Sequence, residues 1–290
     1  MKRLPLPGFD TEQTFAACTD SIRDDDFRRR VQLISDKVAR YGGFYEAHAQ
    51  AGVTYAIPVL GDNFYGDPIV FGSVRKSELV GLYDQGMVAR RSGRAIYNAI
   101  MVSAPLCPTC GELGSSKTLD HYLPKANYPW LSICPSNLIP ACRDCNAEKG
   151  NPIPKTAFEQ LIHPYFDDTC FFDEVWITAE VLRAEPFELR FYPCPPSNWG
   201  RLHKKRAARH FDFYDLAAKY SLRSAEELSM IIDQRRGSLR QMRPLDFQEH
   251  LAGVGNNEKF IKNHWRRVMY RALAGSFDFC TYDFYNDIYR

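Results

Sequence analysis

The 290-residue sequence predicts an α+β protein, a mostly helical chain interrupted by a cysteine-rich metal segment and by a pair of short strands. Three observations predict it. Apolar residues recur at helical spacing over residues 10–50 and again toward the C-terminus. Two Cys-x-x-Cys pairs, Cys107 with Cys110 and Cys142 with Cys145, lie 31 residues apart. Residues 175–193, VWITAEVLRAEPFELRFYP, have the β-branched and aromatic content of two strands around Glu185 and Pro186.

The elements follow in chain order. Asp10 with Gln13 three positions later fits a capping pair, and Phe15, Cys18 and Ile22 continue at helical spacing. The acidic run Asp24, Asp25, Asp26 suits a helix N-terminus, after which Phe27, Val31, Ile34, Val38 and Tyr41 form one apolar stripe that Gly42-Gly43 should end. Glycine, proline and asparagine crowd residues 52–72, a loop region with room for a short strand. Helices are expected over 77–88 and 92–103, before Pro105 opens the cysteine-rich segment. Another begins near Arg201. Farther on, Ser224 and Glu227 have the spacing of a capping box, and Phe260, Ile261, Trp265, Val268, Ala272 and Leu273 make a stripe ending near Gly275. The expected organisation is a helical region 1–104, a metal-binding core 105–165 and a mixed region 166–290.

Composition narrows the function classes. With 37 basic and 35 acidic side chains the net charge is +2, so any surface for nucleic acid must be local. The N-terminus, MKRLPLPGFD, lacks the apolar run of a secretory signal, and no apolar stretch approaches the roughly 18 residues of a membrane span. A cytoplasmic protein without membrane partners is expected. Nine cysteines is an odd number, and in a reducing compartment close pairs are more often metal ligands than disulfides. Two Cys-x-x-Cys turns match a structural four-cysteine Zn²⁺ site, which is coordinatively closed.

Between the cysteine pairs lies LDHYLPK, with Asp120 and His121, and the second pair is carried by SNLIPACRDCNAEKG, in which Asn137 precedes it and Asn146 follows Cys145. Neutral imidazole accepts a proton from water near pH 7, and neighbouring residues of a strand face opposite ways, so Asp120 and His121 can serve different partners. On these residues, segment 105–152 resembles the HNH endonucleases. The closest pattern is the four-cysteine subtype typified by phage endonuclease VII, in which asparagine replaces the last histidine. The resemblance implies a ββα-metal core embedded in the helical chain. It also implies DNA phosphodiester hydrolysis leaving 5′-phosphate and 3′-hydroxyl ends. By the same resemblance His121 is the general base, and Asn137 fixes the loop and orients His121. Asp120 and Asn146 hold Mg²⁺ or Mn²⁺, whose preference for hard oxygen donors they satisfy. Some HNH members place a further histidine ligand one turn later, where this chain has Gly150. Chains of similar length and pattern include anti-phage defence nucleases that work beside ATPases, so a regulatory partner such as an ATPase is expected. No nucleotide-binding loop occurs in this chain.

Candidate phosphate contacts are Lys125 and Lys149 near the motif, and Arg201, Lys204, Lys205 and Arg209 in RLHKKRAARH, with Arg201, Lys205 and Arg209 on one face if helical. Leu202, Phe211 and Tyr214 would anchor that helix. A second stripe joins Lys259, Lys262 and Arg266. Residues 167–188 hold seven acids against one arginine, which disfavours phosphate there and suits a protein partner. His163 and Cys134 fit packed core positions. Two alternatives stand beside the DNA nuclease: a non-catalytic zinc-ribbon module binding nucleic acid or protein, which has no use for Asp120, His121 and Asn146, and an HNH ribonuclease.

Overall fold

Asp10 accepts from the Gln13 backbone N–H at 2.7 Å, and the Gln13 side chain accepts from the Asp10 N–H at 3.2 Å. That capping pair opens α1, Thr11–Thr19. The structure is a computed structural model describing residues 1–20, 22–60, 66–184 and 187–285. The chain divides into two compact units: Arg3–Thr109 with Gly114–Asp167, and Asp168–Arg290 with Met1–Lys2 and Cys110–Leu113. The N-terminal helices thus share a unit with most of the cysteine-bracketed segment.

In the first unit Asp24 caps α2, Asp25–Gln32, through the Phe27 N–H at 3.0 Å. The chain turns at Leu33 and Ile34, and α3 runs Ser35–Gln50. The single stripe expected from Phe27 to Tyr41 is therefore split, although Val31, Ile34 and Val38 are all buried. Gly42-Gly43 does not end the helix. A Cβ on Gly42 would lie 2.1 Å from Thr11 Oγ1, so glycine is what lets α3 cross α1 closely. That packing outweighs the roughly 1 kcal/mol by which glycine disfavours a helix interior.

The loop region carries β1, Ile69–Phe71, paired antiparallel with β2, Val74–Arg75. Helix α4, Lys76–Gly81, continues into a π-helical stretch over Leu82–Val88, and α5 covers Arg91–Val102. Next come β3, Thr118–His121, and β4, Leu138–Ala141, paired antiparallel with His121 opposite Leu138 and Asp120 opposite Ile139. Helix α6, Arg143–Lys149, completes the ββα order. Every residue of β4 is buried, as are Tyr128, Trp130 and Leu131 in the connection.

The second unit contains the short α7, Cys170–Asp173, and the predicted hairpin, β5 over Ile177–Leu182 and β6 over Glu188–Pro193. The expected turn at Glu185 and Pro186 lies outside the described residues. Helices α8, Arg201–Phe213; α9, Leu216–Arg236; α10, Pro244–Gly255; α11, Trp265–Gly275; and α12, Phe277–Thr281 follow. The Ser224–Glu227 capping box does not form. Ser224 is buried within α9 and its hydroxyl donates to the Ser221 carbonyl at 2.9 Å, a back-bond that lets serine stay inside a helix. Phe260 and Ile261 precede α11, because the Asn263 side chain leaves the helical path to accept from the Trp176 and Ile177 N–H groups at 2.9 and 3.0 Å. Among the described residues no helix is long and apolar enough to cross a membrane.

Candidate active site and metal centre

Cys107 begins a tight turn in which its N–H donates to the Gly114 carbonyl at 2.8 Å. Cys142 is the N-cap of α6, and Cys145 sits in the first turn with its N–H 3.5 Å from Cys142 Sγ. The sulfurs of Cys107, Cys110, Cys142 and Cys145 all lie within 4.8 Å of one another, and all four residues are buried. Tetrahedral zinc with bonds near 2.3 Å requires sulfurs roughly 3.8 Å apart, so the cluster has the right size for that ion. Gly111, directly after Cys110, has φ +69°, and a Cβ there would meet the Tyr220 hydroxyl at 2.4 Å. Four thiolates would close the coordination sphere of an ion held here, leaving it no reacting position.

On β3 the side chains alternate. Leu119 and His121 are buried on one side, while Asp120 keeps 15 % exposure on the other. His121 Nε2 lies 2.7 Å from the Ser132 carbonyl oxygen, which can only accept, so Nε2 carries the proton and Nδ1 keeps its lone pair. The ring meets Tyr83 edge-on at 4.6 Å, and the Tyr83 hydroxyl is itself fixed by donating to the Leu119 carbonyl at 2.9 Å. Burial pushes the His121 imidazole down to about 3, opposed by the Ser132 bond and reinforced by Lys125 and Lys149. At neutral pH the ring is therefore neutral, with its lone pair on Nδ1.

Lys149, expected as a phosphate contact, is placed otherwise. It is almost wholly buried, and its ammonium donates to Asp120 Oδ1 at 3.2 Å and to the His121 carbonyl. Burial pushes the Asp120 carboxyl up and the Lys149 ammonium down, each opposed by the partner's charge. Asn146 lies three residues before Lys149, on the same side of α6, and is exposed. Gly150 ends the helix with φ +54°. Asp120 and Asn146 offer hard oxygen atoms of the kind Mg²⁺ and Mn²⁺ prefer, and one Asp120 oxygen is already paired with the Lys149 ammonium.

Asn137 is fully buried. Its Oδ1 accepts from the Leu123 N–H at 2.8 Å, and its Nδ2 donates to the Leu123 and Leu131 carbonyls at 3.0 and 3.3 Å. It locks the connection between β3 and β4. The contact that orients the His121 ring comes from Ser132, not from the Asn137 amide expected to do so.

The family model described as HNH endonuclease matches residues 107–152. Protein Ea31 of Escherichia phage lambda is 31% identical over 299 positions, covering 96% of this chain and 99% of that protein. The chain belongs to the HNH endonuclease family. No solved structure matches it. The HNH motif is thus the ββα segment braced by the four cysteines.

Other predicted residues fall as follows. Lys125 pairs with Asp84 at 3.0 Å and lies over the Tyr83 ring, where one face of its charge is already occupied. Arg201, Lys205 and Arg209 form an exposed row along α8, anchored by buried Phe211 and Tyr214; Lys204 Nζ donates to the Ser197 carbonyl at 2.8 Å. Lys259, Lys262 and Arg266 do not share a helix face, since α11 begins only at Trp265 and Arg266 pairs with Glu227 at 2.7 Å. His163 is packed, with Nε2 2.8 Å from the Tyr45 hydroxyl. Cys134 is buried beside Thr11 and Ser136. Sequence reasoning missed Ser132 and Tyr83 as partners of His121. Ser132 acts through its backbone, which no residue type signals, and Tyr83 arrives from a π-helical stretch 38 positions upstream.

Proposed function

We propose that this HNH protein is a metal-dependent endonuclease that hydrolyses phosphodiester bonds of DNA, with His121 as general base. The observation that supports it most is the assignment of the imidazole: Nε2 is committed to the Ser132 carbonyl, so Nδ1 is the proton acceptor on a buried ring that is neutral at pH 7. His121 takes the proton of the attacking water onto Nδ1, and the Ser132 carbonyl stabilises the imidazolium that results. Asp120 and Asn146 would hold Mg²⁺ or Mn²⁺. When bound, that cation supplies charge stabilisation to the phosphate and to the departing 3′ oxygen. Lys149 supports the ionised form of Asp120 and ties α6 to β3, while Asn137 keeps the connection that carries Ser132 in shape. The cysteine cluster would hold structural Zn²⁺, and the row Arg201, Lys205, Arg209 would follow a phosphate backbone.

The test is cleavage of supercoiled plasmid by the zinc-loaded protein with Mg²⁺ or Mn²⁺, beside His121→Ala and Asn146→Ala variants of wild-type melting temperature. Nicking or linearisation by wild type, lost in both variants, is expected. Cleavage that persists in His121→Ala overturns the assignment of the base.

A further inference from the structure

One face of α3 presents Lys37, Arg40, Tyr41 and Phe44 at spacings of three and four residues. Tyr41 and Phe44 are 39% and 42% exposed, although large aromatic side chains normally seek burial. Tyr41 lies 5.1 Å from Phe71 and 5.3 Å from Trp130, and Phe71 and Trp130 are 6.2 Å apart, so three rings converge beneath the exposed edge. They line a groove of about 660 Å³ together with Lys37, Arg40 and Phe44. Lys37 Nζ is 5.9 Å from the Phe71 ring centre. Arg40 donates to the carbonyl of Asp36 at 3.3 Å, and among the described residues no carboxylate pairs with it. Among the described residues the lining contains two cations and no carboxylate.

We infer that this groove is a stacking platform for an unpaired nucleotide of single-stranded DNA, the bases lying on the Tyr41 and Phe44 rings and the phosphates on Lys37 and Arg40. Rings that face solvent between cations are what a single strand requires. Bases give up solvent-exposed faces to the aromatics, and the backbone charge is met at the rim. A paired duplex hides its base faces and has no use for the rings. The choice of DNA follows the nuclease reading on which the inference rests, and the uridine oligonucleotide below tests it. Trp130 also ties the platform to the cleavage cluster within one unit: it lies two residues before Ser132, whose carbonyl holds His121. The inference rests on the nuclease reading and extends it to a substrate with an unpaired strand, such as a flap, a bubble or a branch.

The test is fluorescence anisotropy of a labelled 20-nucleotide oligothymidine, a matched duplex and the uridine oligonucleotide, using the zinc-loaded full chain without added Mg²⁺ or Mn²⁺. Wild type is expected to bind the DNA single strand most tightly. Tyr41→Ala with Phe44→Ala should weaken that binding by about tenfold for each ring lost while the melting temperature is kept. Lys37→Gln with Arg40→Gln should flatten the salt dependence by about 1.4 in the log–log slope, roughly 0.7 per single-strand phosphate contact. Equal binding by wild type and the aromatic double variant overturns the platform, as does preference of wild type for the duplex or for the RNA. Plasmid cleavage by His121→Ala tests the nuclease reading separately, so either idea fails without the other.

Discussion

The ββα segment is held in two places by opposite chemistry. At one, four buried cysteine sulfurs converge within 4.8 Å of one another and leave nothing exposed. At the other, Asp120 and Lys149 pair a carboxylate with an ammonium beside His121, whose ring lies on the opposite side of β3, with Asp120 still partly open to solvent and Asn146 exposed on α6. Soft, closed coordination makes a brace; hard, open donors beside a proton acceptor make a reacting site. The two should therefore fail differently when disturbed, stability going with the first and rate with the second.

The largest effect should come from the brace. Structural zinc contributes apparent binding free energies on the order of 10–16 kcal/mol in small metal domains, and that energy is folding energy. Cys142→Ser should release zinc and unfold the segment; metal analysis with thermal melting reads both. Retention of one zinc per chain at the wild-type melting temperature would contradict the role of the cluster. His121→Ala is the converse. It should keep zinc and fold while lowering plasmid cleavage by about 10²–10⁴-fold, the usual contribution of a general base. Similar melting losses in the two variants would erase the division between brace and reacting site.

The four-cysteine cluster was legible in the sequence, because Cys-x-x-Cys spacing is a local pattern set by chemistry. So was the β5–β6 hairpin, whose β6 side chains alternate between exposed and buried over Glu188–Tyr192. β4 gives no such alternation, since all of it is buried, and only the resemblance implied the ββα core there. Failures of sequence reasoning have a common origin in contacts between distant residues. Gly42 looked like a helix end because its partner, Thr11, is 31 residues away. Ser224 looked like a cap because its bond to Ser221 appears only once α9 has formed. Lys149 looked like a surface lysine, although its ammonium is taken up by β3.

Lys149 crosses the line between the two places, and a variant there sharpens the comparison. It sits in the reacting cluster yet is buried as deeply as the cysteines. Removing one member of a buried ion pair typically costs about 3–5 kcal/mol, because the other charge is left uncompensated. Lys149→Met should thus lower the unfolding free energy by about 3 kcal/mol, given the partial exposure of Asp120, and well beyond His121→Ala. Combining it with Asp120→Asn should recover part of that loss. Additive losses in the double variant, measured by denaturant unfolding, would show that the pair is not what Lys149 stabilises.

The smallest effect asks whether a depressed histidine marks chemistry at all. His264 is buried in the other unit, and burial, with the nearby charges of Arg266 and the N-terminus, pushes it down to about 4. It belongs to no reacting cluster. Its Nδ1 accepts from the Arg266 N–H at 3.2 Å and so caps α11, which only the neutral ring can do. The folded value lies below the unfolded one of about 6.5, so the unfolded chain takes up the proton first. The stabilisation is then fully present above about pH 6.5 and is lost as pH falls toward 4. His264→Asn keeps a cap acceptor without a titrating group. Between pH 6.5 and 4, wild type should lose about 1–2 kcal/mol more unfolding free energy than the variant, after allowance for the exposed part of the ring. Parallel stability curves would mean that His264 is not held neutral by its cap. A diverging pair would show that a histidine can be held neutral by burial and nearby cations with no reacting partner beside it, so that what distinguishes His121 is its neighbours Asp120 and Ser132.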